Sequence, residues 1–210
     1  MLDGITIVKP EEIEKRSMEI ITSELGGRTW PEDEFLVVKR CIHTAADFDY
    51  ADNLVFSENA VKLAKEAVMA GASIVTDTNM AAAGINKNAL TKWGGSVRCF
   101  MADESVAAEA KEKGVTRASI CMERGAELAG PVIFAVGNAP TALIRLYEMI
   151  QNGKTAPALI IGAPVGFVNV VESKELILSA SVPHIVARGR KGGSNIAAAI
   201  CNAILYQCGR

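Results

Sequence analysis

Pro131-Val-Ile-Phe-Ala-Val136, Ala158-Leu-Ile-Ile161 and His184-Ile-Val-Ala187 are short apolar runs without polar alternation. Ser73-Ile-Val-Thr76 has the same character, and Ser96 to Phe100 and Phe35 to Ile42 read as further strands. A strand that shows no polar face is covered on both sides. Helical patterns lie between these runs. Pro10 opens one that continues from Glu11 to about Leu25 and stops at Gly26-Gly27. Ser57 is positioned to cap another, running to Ala70 before Gly71. Others follow at Ser105 to Lys113, Arg117 to Ala129, after Gly137-Asn138 with Pro140 in the first turn, and Ser194 to about Tyr206. Pro early in a helix and Gly just past its end fit the known asymmetry of helix termini. The alternation predicts an α/β fold: a three-layer structure, with a mostly parallel sheet flanked by helices on both faces.

The 210 residues suit one domain, taken here as residues 1–210, and half of them are apolar. No linker, repeat or low-complexity segment interrupts them. Residues 1–9 read as an extended lead-in. The net charge of −2 argues against a general nucleic-acid binder. Five scattered cysteines (Cys41, Cys99, Cys121, Cys201, Cys208) form no CxxC or metal-ligand spacing, and a reducing cytoplasm suits them. Met1 to Pro10 lacks a signal-peptide pattern, and Ala158 to Phe167 is too short and broken to span a bilayer.

In a parallel α/β sheet, ligands bind beyond the carboxyl ends of the strands. The polar clusters fall at such ends. His43 is one of two histidines; it follows Lys39 and Arg40 and precedes Asp47 and Asp49. An imidazole there can exchange a proton near neutral pH, or can be a hydrogen-bonded structural residue. Asp47 and Asp49 suit an acid–base pair, metal ligation or the orientation of His43. His184, opening an apolar strand, suits a structural role.

Ala187-Arg-Gly-Arg-Lys-Gly-Gly-Ser194 is a glycine-rich strand-to-helix turn. It suits an anion reinforced by Arg188, Arg190 and Lys191, or simply a tight turn with Ser194 as N-cap. It matches neither GxxxxGK[ST] nor GxGxxG. Gly162 and Gly166 would let a large flat ligand approach the backbone, or merely shape a loop. Thr76-Asp-Thr78-Asn79 offers hydroxyl and amide groups to a ligand, or to a helix cap. Ser17 shares a helix face with Ile13 and Ile21, where its hydroxyl suits back-bonding one turn earlier. Arg117 and Arg124 flank a helix.

Five segments in order resemble one family. They are Arg40-Cys-Ile-His43-Thr-Ala-Ala-Asp47-Phe-Asp49, Thr76-Asp-Thr-Asn-Met80, Val136-Gly-Asn-Ala-Pro-Thr-Ala-Leu143, Gly162-Ala-Pro-Val-Gly-Phe-Val168 and Arg190-Lys-Gly-Gly-Ser-Asn-Ile-Ala-Ala-Ala199. The family is the precorrin-8X methylmutases, also called cobalt-precorrin-8 methylmutases, of corrin-ring biosynthesis. The resemblance covers nearly the whole chain.

It implies an isomerase that moves a methyl group from C-11 to C-12 of the macrocycle, giving (cobalt) hydrogenobyrinate or cobyrinate. It implies no redox cofactor and no protein-bound metal. His43 matches the family's catalytic histidine, the proton donor and acceptor. Ser17 and Arg40 match substrate contacts, and Thr78 and Arg117 are further carry-overs. The partner implied is a polycarboxylate corrinoid, not nucleic acid or membrane, on a cytoplasmic homodimer with its site near the subunit interface. Two other readings compete: a phosphate- or nucleotide-dependent enzyme using the Gly189 to Ser194 turn, and a corrinoid carrier whose His43 binds cobalt.

Overall fold

The apolar runs assemble into one six-stranded sheet, as seen in a computed structural model that describes residues 8–209. The lead-in expected at residues 1–9 lies, for residues 1–7, outside the described part. The strands are β1 (Leu54–Phe56), β2 (Ser73–Thr76), β3 (Ser96–Arg98), β4 (Val132–Val136), β5 (Leu159–Gly162) and β6 (His184–Ala187). Their order is β1-β6-β5-β4-β2-β3, parallel throughout except for β1, which pairs antiparallel with β6. Helices α1 (Pro10–Leu25), α2 (Glu32–Ala45), α3 (Tyr50–Asn53), α4 (Ala60–Met69), α5 (Asn79–Gly84), α6 (Lys87–Thr91), α7 (Glu104–Lys113), α8 (Arg117–Ala126), α9 (Pro140–Gln151), α10 (Val170–Leu178) and α11 (Ser194–Leu205) surround it.

Successive strand residues feed two separate cores, as a pleated strand requires. Ile74, Ile133, Ile161 and Ile185 pack on one face with α1, α2, α4 and α11. Val75, Phe134, Ile160 and Val186 pack on the other with α7 to α10. β4, β5 and β6 are buried at every residue, which is why they carry no polar alternation. The expected three-layer α/β arrangement is therefore the one observed.

The main difference concerns the segment that carries His43. Phe35 to Ile42, expected as a strand, lies inside helix α2. Val37, Val38, Cys41 and Ile42 are its buried residues, a 3.6-residue stripe, and Glu32, Asp33 and Glu34 occupy its positive first turn. Four consecutive apolar residues imitate a buried strand, and periodicity alone does not separate the two. The edge strand β1, the short helices α3, α5 and α6, and the helix α10, which starts after Asn169 in the left-handed region, have no counterpart among the sequence expectations. Ser57 does not cap α4; its hydroxyl accepts the backbone N–H of His184 at 2.9 Å instead. The α8 pattern stops at Ala126, three residues earlier than expected.

Helices α2 and α11 run antiparallel in one layer. Gln207 Nε2 donates to the Asp33 carbonyl at one end (3.3 Å), and Lys191 Nζ pairs with Asp47 at the other (2.6 Å). Because α11 starts just beyond β6, the end of α2 with His43 lies at the carboxyl edge of the sheet.

Candidate active site

The chain runs from β2 out to the edge strand β3 and returns to β4 on the other side of β2. That reversal opens a crevice between the carboxyl ends of β2 and β4, the usual ligand position in such sheets. Here Asp77 fills it. Its carboxylate accepts backbone N–H groups from Gly137, Asn138 and Ala139 at 2.8, 2.8 and 2.6 Å. Burial pushes the Asp77 carboxyl above the usual carboxylate range, against the opposing pull of these donors. The donors leading into α9 are thus consumed internally, and a ligand anion must be held elsewhere. Asp77 carried no sequence signal beyond lying between two hydroxyl residues.

Neighbouring loops are stitched to this core. Thr78 caps α5, its hydroxyl accepting the Ala81 N–H at 3.0 Å, and shares a 2.7 Å hydrogen bond with Ser194 Oγ. Ser194 is therefore the first residue of α11 and bonds Thr78; it is not the N-cap, which is Gly193. Gly137 lies against this junction, where a Cβ would come within 2.6 Å of Ser194 Cα. Gly193 N–H donates to the Ala163 carbonyl at 2.8 Å, and Gly166 N–H to the Arg190 carbonyl at 3.2 Å. Gly192 approaches Ala163 and Pro164 so closely that any side chain would strike their backbone. These glycines serve contact between loops. Gly162 likewise faces Val186 and Leu143 and packs within the sheet.

The basic residues of the 188–193 turn divide by partner. Arg188 forms a two-pronged pair with Glu175, both contacts at 2.8 Å. Lys191 holds Asp47 and Asp49 together, at 2.6 Å to each. The Lys191 hydrogen bond keeps the Asp47 carboxyl below the usual range. Arg190 stacks 5.5 Å above the Phe167 ring. Phe167 and Val168 are 82 and 78% exposed, giving this edge an apolar surface beside a cation. A phosphate reading of the turn loses two of its three cations to internal carboxylates.

His43 occupies the last turn of α2 and is exposed, with no side-chain hydrogen bond among the described residues. Asp47 and Asp49 are engaged by Lys191. No group of three or more His, Cys, Asp and Glu residues gathers as a metal site among the described residues. Arg40 lies one turn before His43. It pairs with Glu14 at 2.8 Å and stacks on Tyr206 at 5.4 Å, beside a cavity of about 340 Å³ that Met18 and Leu36 also line. Ser17 is one turn beyond Glu14 on α1, and its hydroxyl donates to the Ile13 carbonyl at 2.9 Å. The apolar face expected there is mostly uncovered: Ile13 and Ile20 are 53 and 45% exposed, and only Ile21 is buried. Arg117 starts α8 on the opposite face of the sheet, donating weakly to the Met101 carbonyl at 3.4 Å. Ser17, Arg40 and His43 thus share the α1–α2 side, Thr78 lies nearer the centre, and Arg117 stands apart.

His184 is buried at the start of β6, its Nδ1 2.9 Å from the Val182 carbonyl. The five cysteines are free, and burial raises the thiols of Cys121 and Cys201 to about 12. Buried thiols of this kind are packing groups, not nucleophiles.

The family profile described as Precorrin-8X methylmutase matches residues 12–207. The chain belongs to the precorrin-8X methylmutase family. It is 41% identical over 197 residues to the cobalt-precorrin-8 methylmutase of Priestia megaterium, covering 94% of this chain and 88% of that one. With the precorrin-8X methylmutase of Pseudomonas aeruginosa it shares 38% over 196 residues, 92 and 94% of the two chains. Among solved structures, the precorrin-8x methyl mutase of Thermus thermophilus superposes with a TM-score of 0.85 at 40% identity, over 93 and 96% of the chains. Membership makes the protein a methyl-shifting isomerase of cobalamin biosynthesis.

Proposed function

We propose that this methylmutase moves a methyl group from C-11 to C-12 of (cobalt-)precorrin-8, with His43 as the proton donor and acceptor. The observation that carries the reading is the state of His43. It is an exposed imidazole at the carboxyl edge, with neither a carboxylate nor a carbonyl committed to it among the described residues. A proton added to the conjugated macrocycle makes the ring electron-deficient and lowers the barrier to methyl migration. Because an isomerisation has no net proton, His43 recovers its proton after the shift and returns to its starting state.

Substrate binding follows from the residues around it. The corrinoid carries acetate and propionate carboxylates. Arg40 takes one of them, exchanging its exposed partner Glu14 for the ligand. Ser17 and Thr78 offer hydroxyls on either side, and Arg117 supplies a cation on the far side of the edge. A net acidic protein can hold a polyanion in this way, by local groups instead of its overall field. We further assign the chain to one domain, a cytoplasmic homodimer. Free cysteines support the reducing compartment. Ile13 and Ile20, exposed on α1 beside Ser17, support a second copy covering that face. Among the described residues no helix is long and apolar enough to cross a membrane.

The test is to mix the protein with cobalt-precorrin-8 or its metal-free form and follow visible absorption. Moving the methyl changes the conjugation, so turnover gives a new spectrum. Wild-type protein should produce that change and His43→Ala should not. Rearrangement by His43→Ala at the wild-type rate would remove His43 from the mechanism.

A further inference from the structure

Lys174 lies on α10 with none of its surface exposed. Its ammonium donates to two backbone carbonyls of the glycine-rich turn, Gly189 at 2.7 Å and Lys191 at 2.8 Å. Among the described residues no carboxylate pairs with it, and burial pushes its titration down to about 8. Taking the ammonium out of water costs stability, which its two carbonyl contacts must offset. What the lysine adds over an apolar residue is the pair of contacts that tie α10 to the 188–193 turn.

Its contacts lead toward the reactive end of α2. The carbonyls it bridges are two residues apart, so the ammonium pinches the turn from below. The second belongs to Lys191, whose side chain leaves the turn on the other side and clamps Asp47 and Asp49. Asp47 also accepts the Asp49 N–H at 3.0 Å. These residues follow α2 directly, after Ala46 turns the chain through the left-handed region. His43 is four residues from the clamped Asp47. We propose that Lys174 is a positioning residue: through the 188–193 turn and Lys191, it sets where the His43 end of α2 sits against the sheet. The inference rests on His43 being the proton-transfer group.

With only two histidines, the ring Cε1–H region of an NMR spectrum gives one signal for each, and His184 at the far end of β6 is an internal control. The full-length chain is compared with Lys174→Met, Lys191→Met and the double variant. Lys191→Met should melt within about 4 °C of the wild type, whereas Lys174→Met, which leaves the Gly189 and Lys191 carbonyls without their donor, should melt lower but remain folded. Both should shift or broaden the His43 signal and leave that of His184 in place. Turnover should fall roughly tenfold in kcat with KM within about twofold, the signature of a misplaced group and not of a lost substrate contact. The double variant should be no worse than the poorer single one, because the two lysines act in series. A folded Lys174→Met with the His43 signal and kcat unchanged overturns the proposal. If Lys174→Met does not fold, the exposed Lys191→Met carries the test, and an unmoved His43 signal there overturns it. A moved His43 signal with kcat unchanged keeps the positioning link and removes His43 from catalysis, so the two failures are distinguishable.

Discussion

The two ends of the central sheet handle their polar groups differently. At the amino end, His184 is buried, its ring bonded to the Val182 carbonyl and its N–H to Ser57. At the carboxyl end the backbone is equally well satisfied, with Asp77, Thr78, Ser194 and Lys174 joining the loops. Yet that end leaves His43 without a partner among the described residues, Arg190 on an exposed ring, and Phe167 and Val168 facing out. One end is closed on itself. The other is a rigid frame around side chains with unused capacity, as a preorganised site requires.

Exchanging the histidines should break this comparison most sharply. His43→Ala should lower kcat by about 10²- to 10⁴-fold, the usual worth of a positioned acid–base group, with little change in melting. His184→Ala should do the reverse, keeping kcat but losing about 1–3 kcal/mol of stability in denaturant titrations, because the Val182 carbonyl loses its partner. Equal effects of the two on turnover would erase the distinction between the ends.

Gly192→Ala tests the rigidity of the frame. Its Cβ would meet the Ala163 and Pro164 backbone, so overpacking should cost about 1–3 kcal/mol and depress turnover together with stability. Arg40→Met tests the open side of α2. It should raise KM about tenfold with kcat less affected, as loss of a charge-assisted contact present in ground and transition state alike. A smaller effect belongs to Lys174. Its folded pKa of about 8 lies below the ordinary lysine value of 10.5, so between these limits the unfolded chain binds more protons. Stability of the wild type, measured against Lys174→Met, should therefore climb from pH 8 to 10.5. A flat difference would show that the ammonium is not held out of water.

Much of the frame was legible in the sequence because fully buried strands leave a plain record. β2, β4, β5 and β6 fall where their apolar runs lie, and Pro140 and the acidic start of α1 mark helices correctly. The segment with His43 misled because Phe35 to Val38 carries strand-like residues, while the evidence for α2 is spread over two turns of charges. β1 was invisible: three residues on an antiparallel edge leave too short a pattern. At the site, residue types were readable but pairings were not. Asp47 and Asp49 stand near His43 in sequence, yet belong to Lys191, 144 and 142 residues later. Asp77 and Lys174 were silent for the same reason, since their partners are backbone atoms of distant loops.

The central claim is that the exposed His43 imidazole supplies the proton for methyl migration. Its most direct test sets the NMR titration of the His43 ring, measured in the wild-type protein with bound product, beside the pH dependence of kcat. The account predicts that kcat follows the protonation of that ring and that His43→Ala abolishes the dependence. A kcat that stays constant while the His43 ring titrates would contradict it.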